Sequence, residues 1–248
     1  MKHRTFCSLG LTTFLTIVLA ACSAYQRVSP IEKTFLEDVD TSKKIENLPF
    51  QHSWVRPGAN PYDYREIFVK PIRLDKLPPN AWETSLSAFI TSRDDYLNHA
   101  SELGRYFHAQ LREKLHSHPA ARFSVVNTVK PGTAVIEIAF TELEFSHPIA
   151  RAGSLAAPVP GAGAALSTMV DPHAAIAARL SDGTSGKLIA TMGDRKFSPA
   201  RLIDLNKLTV SSTLREICAN WATEIANSIQ EGRFSKIKKE GTYSLLPW

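Results

Sequence analysis

The chain lacks a long hydrophobic run, a large surplus of one charge and enough cysteines to staple a fold, and each shortage excludes a class of protein. Its most apolar stretch, Phe6 to Leu19, is 14 residues long and is interrupted by Ser8, Thr12, Thr13 and Thr16. A permanent transmembrane helix needs roughly 20 apolar residues, so no segment qualifies. Three cysteines in 248 residues do not make a disulfide framework. Catalytic signatures are missing as well. There is no Gly-x-Ser-x-Gly elbow, no His-Glu-x-x-His and no phosphate loop, since Gly183-Thr184-Ser185-Gly186-Lys187 lacks the spacing and reads as a turn. With 44% hydrophobic and 21% charged residues, the composition is that of one folded domain.

What is present begins with an export signal. Lys2, His3 and Arg4 form a positive start that stays on the cytoplasmic side while the short apolar run enters the membrane. Leu19-Ala20-Ala21-Cys22 follows, the pattern of a bacterial lipoprotein signal. Ala20 and Ala21 are small enough for a peptidase site, and the Cys22 thiol can be alkylated by diacylglycerol. An ordinary secretory cleavage after Ala21 would instead put bulky Leu19 where a small side chain is preferred. Cys22 is therefore expected to become the first mature residue and to carry the lipid. Each buried methylene contributes about 0.8 kcal/mol, and stable anchoring takes more than one chain, which a diacylglyceryl group provides. In lipoproteins that this pattern resembles, Asp directly after the lipidated Cys favours the inner membrane. Ser23 then implies the outer membrane, with the body on its periplasmic side.

The signal changes the cysteine and charge accounts. Cys7 leaves with residues 1–21 and Cys22 is acylated, so Cys218 alone remains and no intramolecular disulfide can form. Removing Lys2 and Arg4 leaves 27 basic residues against 24 acidic ones, a net of +3. That charge is mild and interspersed, and export removes nucleic acid as a partner.

Residues 22–60 read as a lipidated tether that partly packs, punctuated by Pro30, Pro49 and Pro57, with Phe35, Leu36, Phe50, Trp54 and Val55 large enough to dock on the domain. Residues 61–232 form the single domain. Ile67, Val69 and Ile72 mark a first strand, with Pro71 at an edge or strand end. Ser92 and Asp95 resemble a capping box, and Ala100, Leu103, Phe107, Leu111 and Leu115 line one face of the helix that follows, which His116 to Pro119 ends. Strands are expected over Phe123 to Val126 and Thr133 to Phe145. In the second, Ile136, Ile138 and Phe140 share one phase and Leu143 and Phe145 the other, which predicts a bulge or bend near Thr141. The Ala-, Gly- and Pro-rich residues 150–170 read as a loop or a small-residue helix. Alternation on either side of Ser181-Asp182-Gly183-Thr184-Ser185-Gly186 predicts a hairpin. A last helix is expected to start at Thr213, paired with Glu216, to bury Leu214, Ile217, Cys218, Trp221, Ile225 and Ile229, and to end at Gly232. Residues 233–248 form a basic tail, whose Lys236, Lys238 and Lys239 either stay solvated or touch anionic lipid headgroups or cell-wall polymer. The expected fold is α+β, a mixed or antiparallel sheet with two amphipathic helices packed on one face.

Trp54-Val55-Arg56-Pro57-Gly58-Ala59 ahead of Tyr64, together with Ala174 to Arg195 carrying Ser181-Asp182 and Ser185-Gly186-Lys187-Leu188, resembles domain-of-unknown-function family 3313, a family of bacterial lipoproteins. That resemblance implies an address and a fold and supplies no catalytic residues. Candidate chemistry elsewhere is thin. His116 and His118 could bind a metal with His108, but the pair lies at a helix end, where exposed histidines are common, and no metal site is expected. Glu137, Glu142 and Glu144 are expected on a solvated strand face and not as an acid–base pair. Cys218 is expected in the core. The residues thus point to no catalytic site, no cofactor and no metal, and to one chemical role, lipidation at Cys22. The expected function is a non-catalytic envelope protein, an interaction or assembly module with a possible envelope protein as partner. The alternatives are a small-ligand carrier and an enzyme with a dispersed site.

Overall fold

The computed structural model describes residues 48–56, 58–59, 63–85, 90–145, 172–197 and 211–231. In chain order these form β1 (His52–Val55), β2 (Glu66–Val69), α1 (Ala81–Thr84), α2 (Arg93–His116), β3 (Ser124–Val126), β4 (Thr133–Glu144), β5 (His173–Asp182), β6 (Leu188–Phe197) and α3 (Ser212–Gln230). The strands make one sheet in the order β1-β6-β5-β4-β2-β3. Pairs are antiparallel from β1 to β4, and β2 runs parallel to both β4 and β3. The sheet is mixed and the fold α+β, as the alternation and helical periodicity predict.

β4 organises the core. Ile136, Ile138 and Phe140 are almost fully buried and share one phase. Pairing with β5 slips between Phe140 and Glu142, so Thr141 is the extra residue of a bulge. That slip returns Leu143 and Phe145 to the side of Phe140. The phase change in the sequence is thus the mark of a bulge that keeps one face apolar along the whole strand.

α2 and α3 lie on that face. Phe107 of α2 sits 6.0 Å from the Phe140 ring and 6.1 Å from Trp221 of α3. The expected stripe of Ala100, Leu103, Phe107, Leu111 and Leu115 is buried throughout, each large side chain contributing about 1.5–3 kcal/mol. Ser92 caps α2 by accepting the Asp95 amide at 3.1 Å. Asp95 returns the contact to the Ser92 hydroxyl at 2.9 Å and reaches the Thr91 amide and hydroxyl at 3.2 and 2.8 Å. Those bonds, the Thr91 hydroxyl first, hold its carboxyl below the usual range.

α3 buries Leu214, Ile217, Cys218, Trp221, Ile225 and Ile229 as expected, but its start differs. The helix begins at Ser212, Ser211 precedes it without a side-chain cap bond, and Thr213 is turned inward at 9% exposure. Burying the apolar stripe takes Thr213 into the first turn, where its hydroxyl no longer caps. At the other end Gln230 ties the two helices together. Its Oε1 accepts the amides of Arg122 and Phe123 at 2.8 and 2.9 Å, and its Nε2 donates to the carbonyls of Leu115 and Phe123 at 2.6 and 3.0 Å. Gly232, residues 233–248 and residues 150–170 lie outside the described residues.

Two elements have no counterpart in the periodicity. α1 is a single turn after Pro79. β1, a four-residue strand that begins two residues after the buried Phe50, pairs His52 to Val55 with Gly193 to Ala190 and closes one edge of the sheet.

Candidate functional site

Alternation places Val135, Glu137 and Ala139 of β4 on the face away from α2 and α3. Glu137 is the centre of that face. It stands opposite Arg179 of β5 and accepts from Arg179 Nη2 at 2.9 Å, Lys70 Nζ at 3.1 Å and Arg73 Nη1 at 2.5 Å. Arg73 arrives because the chain beyond Val69 keeps pairing with β4, its amide donating to the Ile138 carbonyl at 2.9 Å. Burial alone would raise the Glu137 carboxyl, but the bonds from Arg73, Arg179 and Lys70 outweigh it and hold it at about 2. The cations stay wetter than the acid: side-chain exposure is 46% for Lys70, 35% for Arg73 and 40% for Arg179, against 7% for Glu137.

A dry strip lies next along the strands. Ala139 faces Ala177, which faces Gly193, and all three are buried. Beyond it a second ionic group forms. Glu142 accepts from Arg195 Nη2 and has His173 Nε2 at 3.8 Å. Arg195 also lies 5.6 Å from the Phe197 ring, which is 41% exposed and sits 5.1 Å from His173. Burial pulls the Arg195 guanidinium below its ordinary value.

The two motif segments meet at one end of the sheet. The Arg56 amide donates to the Ile189 carbonyl at 2.9 Å, and the Tyr64 hydroxyl bonds Asp182 at the tip of the β5–β6 hairpin. Asp182 also accepts the amides of Thr184 and Ser185, at 3.1 and 2.6 Å, and the Ser185 hydroxyl at 2.7 Å. Ser185 chiefly holds the Asp182 carboxyl at about 2. Burial, with Asp182 next, raises the Tyr64 phenol. Gly183 lies against β4, its amide 2.8 Å from the Thr133 carbonyl, and a Cβ there would meet that oxygen at 2.6 Å.

The other sequence candidates are scattered. Cys22 lies outside the described residues. His108 Nε2 is 3.1 Å from the Val69 carbonyl, His118 Nδ1 accepts the Ala120 amide at 3.2 Å, and His116 is exposed. No three His, Cys, Asp or Glu side chains are grouped to hold an ion among the described residues. Cys218 is fully buried, which pushes its thiol up. Of the three strand glutamates, Glu142 and Glu144 are partly exposed while Glu137 is buried and ion-paired. The solvated-face reading therefore fails for Glu137, because three cations from β5 and the β2 extension converge on it. Asp194 carries no sequence signal: it is buried on the helix side, accepting Trp221 Nε1 at 2.8 Å and the Gln51 amide at 3.3 Å. Burial raises its carboxyl.

The family model for proteins of unknown function designated DUF3313 matches residues 36–225. The chain belongs to the DUF3313 family. Both segments that meet at Tyr64 and Asp182 fall within the DUF3313 match. No curated protein sequence matches this DUF3313 chain. Among solved structures it is similar to protein XCC0632 of Xanthomonas campestris, at 9% identity, TM-score 0.41, over 71% of this chain and 89% of that one. It is also similar to the PelC dodecamer of Paraburkholderia phytofirmans, at 9% identity and TM-score 0.36 over 69% and 90% of the chains. A minor lipoprotein of Acinetobacter baumannii matches at 11% identity and TM-score 0.34, over 70% and 98%.

Proposed function

We propose that this chain is a non-catalytic protein of the bacterial envelope, an interaction or assembly module held by a diacylglyceryl group on Cys22 at the periplasmic face of the outer membrane. Its partner is a protein with an acidic surface, taken on the sheet face that carries Glu137. The observation that carries this reading is the ion-pair row itself. Lys70, Arg73 and Arg179 are fixed around one buried carboxylate, with Asp75 pairing Arg73 a second time, yet remain 35–46% exposed. Their side-chain entropy is already spent inside the fold, so a partner meets preordered cations. The carboxylates of this face serve the same end. Glu137 and Glu142 are engaged with basic neighbours, which suits a binding surface better than proton transfer.

Photocrosslinking in the native cell tests the reading. A benzoylphenylalanine in place of Lys70 is expected to capture a defined protein, and one in place of exposed Glu102 on α2 is not. Equal capture at both positions, or capture at neither, removes the proposal. For the anchor, Cys22→Ala is expected to abolish incorporation of labelled palmitate and to release the protein from membranes; continued labelling refutes lipidation.

A further inference from the structure

Beside the ion-pair row, the same sheet face carries an apolar patch. Phe68 of β2 stands opposite Val126 of β3 and Val135 of β4, and alternation puts its side chain on the side of Lys70, two residues on. Val129 joins the patch from the loop between β3 and β4. A Cβ on Gly183 would meet Val129 Cγ1 at 2.6 Å and Val135 Cγ2 at 3.3 Å, so these two valines border one spot. Val129 is 42% exposed, Phe68 and Val126 are partly exposed, and none of the three belongs to the core cluster under α2 and α3. Val125, the neighbour of Val126, packs on that cluster instead, as the alternation of a strand requires.

Backbone chemistry and charge decide what fits there. A strand laid on a sheet face cannot join its ladders, and its own amides would be buried without partners. A helix satisfies its backbone internally and presents only side chains. Its turn advances about 5.4 Å, close to the roughly 4.8 Å between neighbouring strands, so side chains three and four residues apart can meet Val126, Phe68 and Val135 in succession. Lys70 lies about 6.6 Å farther along β2 than Phe68, within the roughly 10 Å width of a helix. Its side chain is 46% exposed, and the carboxylate beneath it is shared with Arg73 and Arg179. A helix seated on Phe68 and the valines therefore meets a cation along one flank, and acids on that flank complement it.

We infer that the partner docks through an amphipathic helix of another protein, its apolar stripe on Phe68, Val126 and Val129 and its carboxylates on the side of Lys70 and Arg179. This rests on the ion-pair row as the binding face and adds the form of the partner.

The test uses cells carrying the full chain with benzoylphenylalanine in place of Val129 or of Lys70. Both positions are expected to capture one protein through one peptide, whose apolar residues recur at three and four with Asp or Glu on the adjoining stripe. That peptide, synthesised, should gain helical circular dichroism on binding the purified full chain. Val129→Asp should weaken its binding by about tenfold or more, because apolar contact is lost and a like charge faces the acids. Lys70→Gln should weaken it by about twofold to fivefold, the weight of an exposed ion pair, and this difference should shrink at high salt. If Val129→Asp does not accumulate, Val126→Asp takes its place. Capture at Lys70 with none at Val129 overturns the helix and leaves the acidic partner standing, whereas capture at neither removes both. A captured peptide that comes from residues 31–47 of this chain, or one that binds without gaining helix, also overturns the inference.

Discussion

Replacing Glu137 by Gln separates the ionic role of this residue from its shape. The amide is nearly isosteric, so the shape at this position changes little, but Lys70, Arg73 and Arg179 lose their shared counterion and only Arg73 keeps another, Asp75. The folded carboxyl sits at about 2 against an ordinary 4.5. At about 1.36 kcal/mol per pH unit this is worth about 3 kcal/mol. Because the three cations are themselves partly exposed, screening reduces the expected loss to about 1–2 kcal/mol. Since the folded value is depressed, the contribution is fully present above pH 4.5 and is lost as pH falls toward 2. Urea unfolding followed by tryptophan fluorescence should therefore show wild type ahead of Glu137→Gln by a constant margin from pH 7 to about pH 5, and the margin should close below that. A margin that persists unchanged to pH 3, or a variant as stable as wild type at pH 7, refutes the electrostatic account and leaves Glu137 as packing.

Two further substitutions probe how the elements are joined. Gln230→Ala strips partners from the Arg122 and Phe123 amides and the Leu115 and Phe123 carbonyls, and a loss of about 3 kcal/mol is expected in the same unfolding assay; a loss under about 1 kcal/mol would mean that water replaces the side chain. Gly183→Ala places a Cβ 2.6 Å from the Thr133 carbonyl and from Val129 Cγ1. It should cost about 1–3 kcal/mol, with faster hydrogen exchange at the Gly183 amide; unchanged exchange there would show that the hairpin is not seated on β4.

The parts of the fold legible in sequence were those fixed by local periodicity and local caps. The stripes of α2 and α3, the hairpin at Asp182 and the Ser92–Asp95 cap each depend on residues within a turn or two of one another. Even the bulge at Thr141 announces itself, because a strand with one apolar face must break phase when it gains a residue. The start of α3 misleads for the opposite reason. Thr213 has the chemistry of a cap, but the tertiary demand to bury Leu214 and Ile217 draws it into the first turn.

The site was less legible because its members are brought together by pairing and not by spacing. Glu137 and Arg179 are 42 residues apart and Lys70 is 67 from Glu137. A signal was nevertheless available. Within the run from Val135 to Ala139 a lone acid interrupts an otherwise apolar face, and Arg179 interrupts Ile176–Leu180 in the same way. An isolated charge in a buried strand must find a counterion, so an acid on one strand and a base on the next predict that the two strands are neighbours and fix their register. Arg56 belongs to the same class of signal and has the opposite outcome: its Nη1 is buried and has no hydrogen-bond partner among the described residues. A charge whose partner is supplied by the fold stabilises the fold, and one whose partner is not supplied leaves its desolvation cost standing.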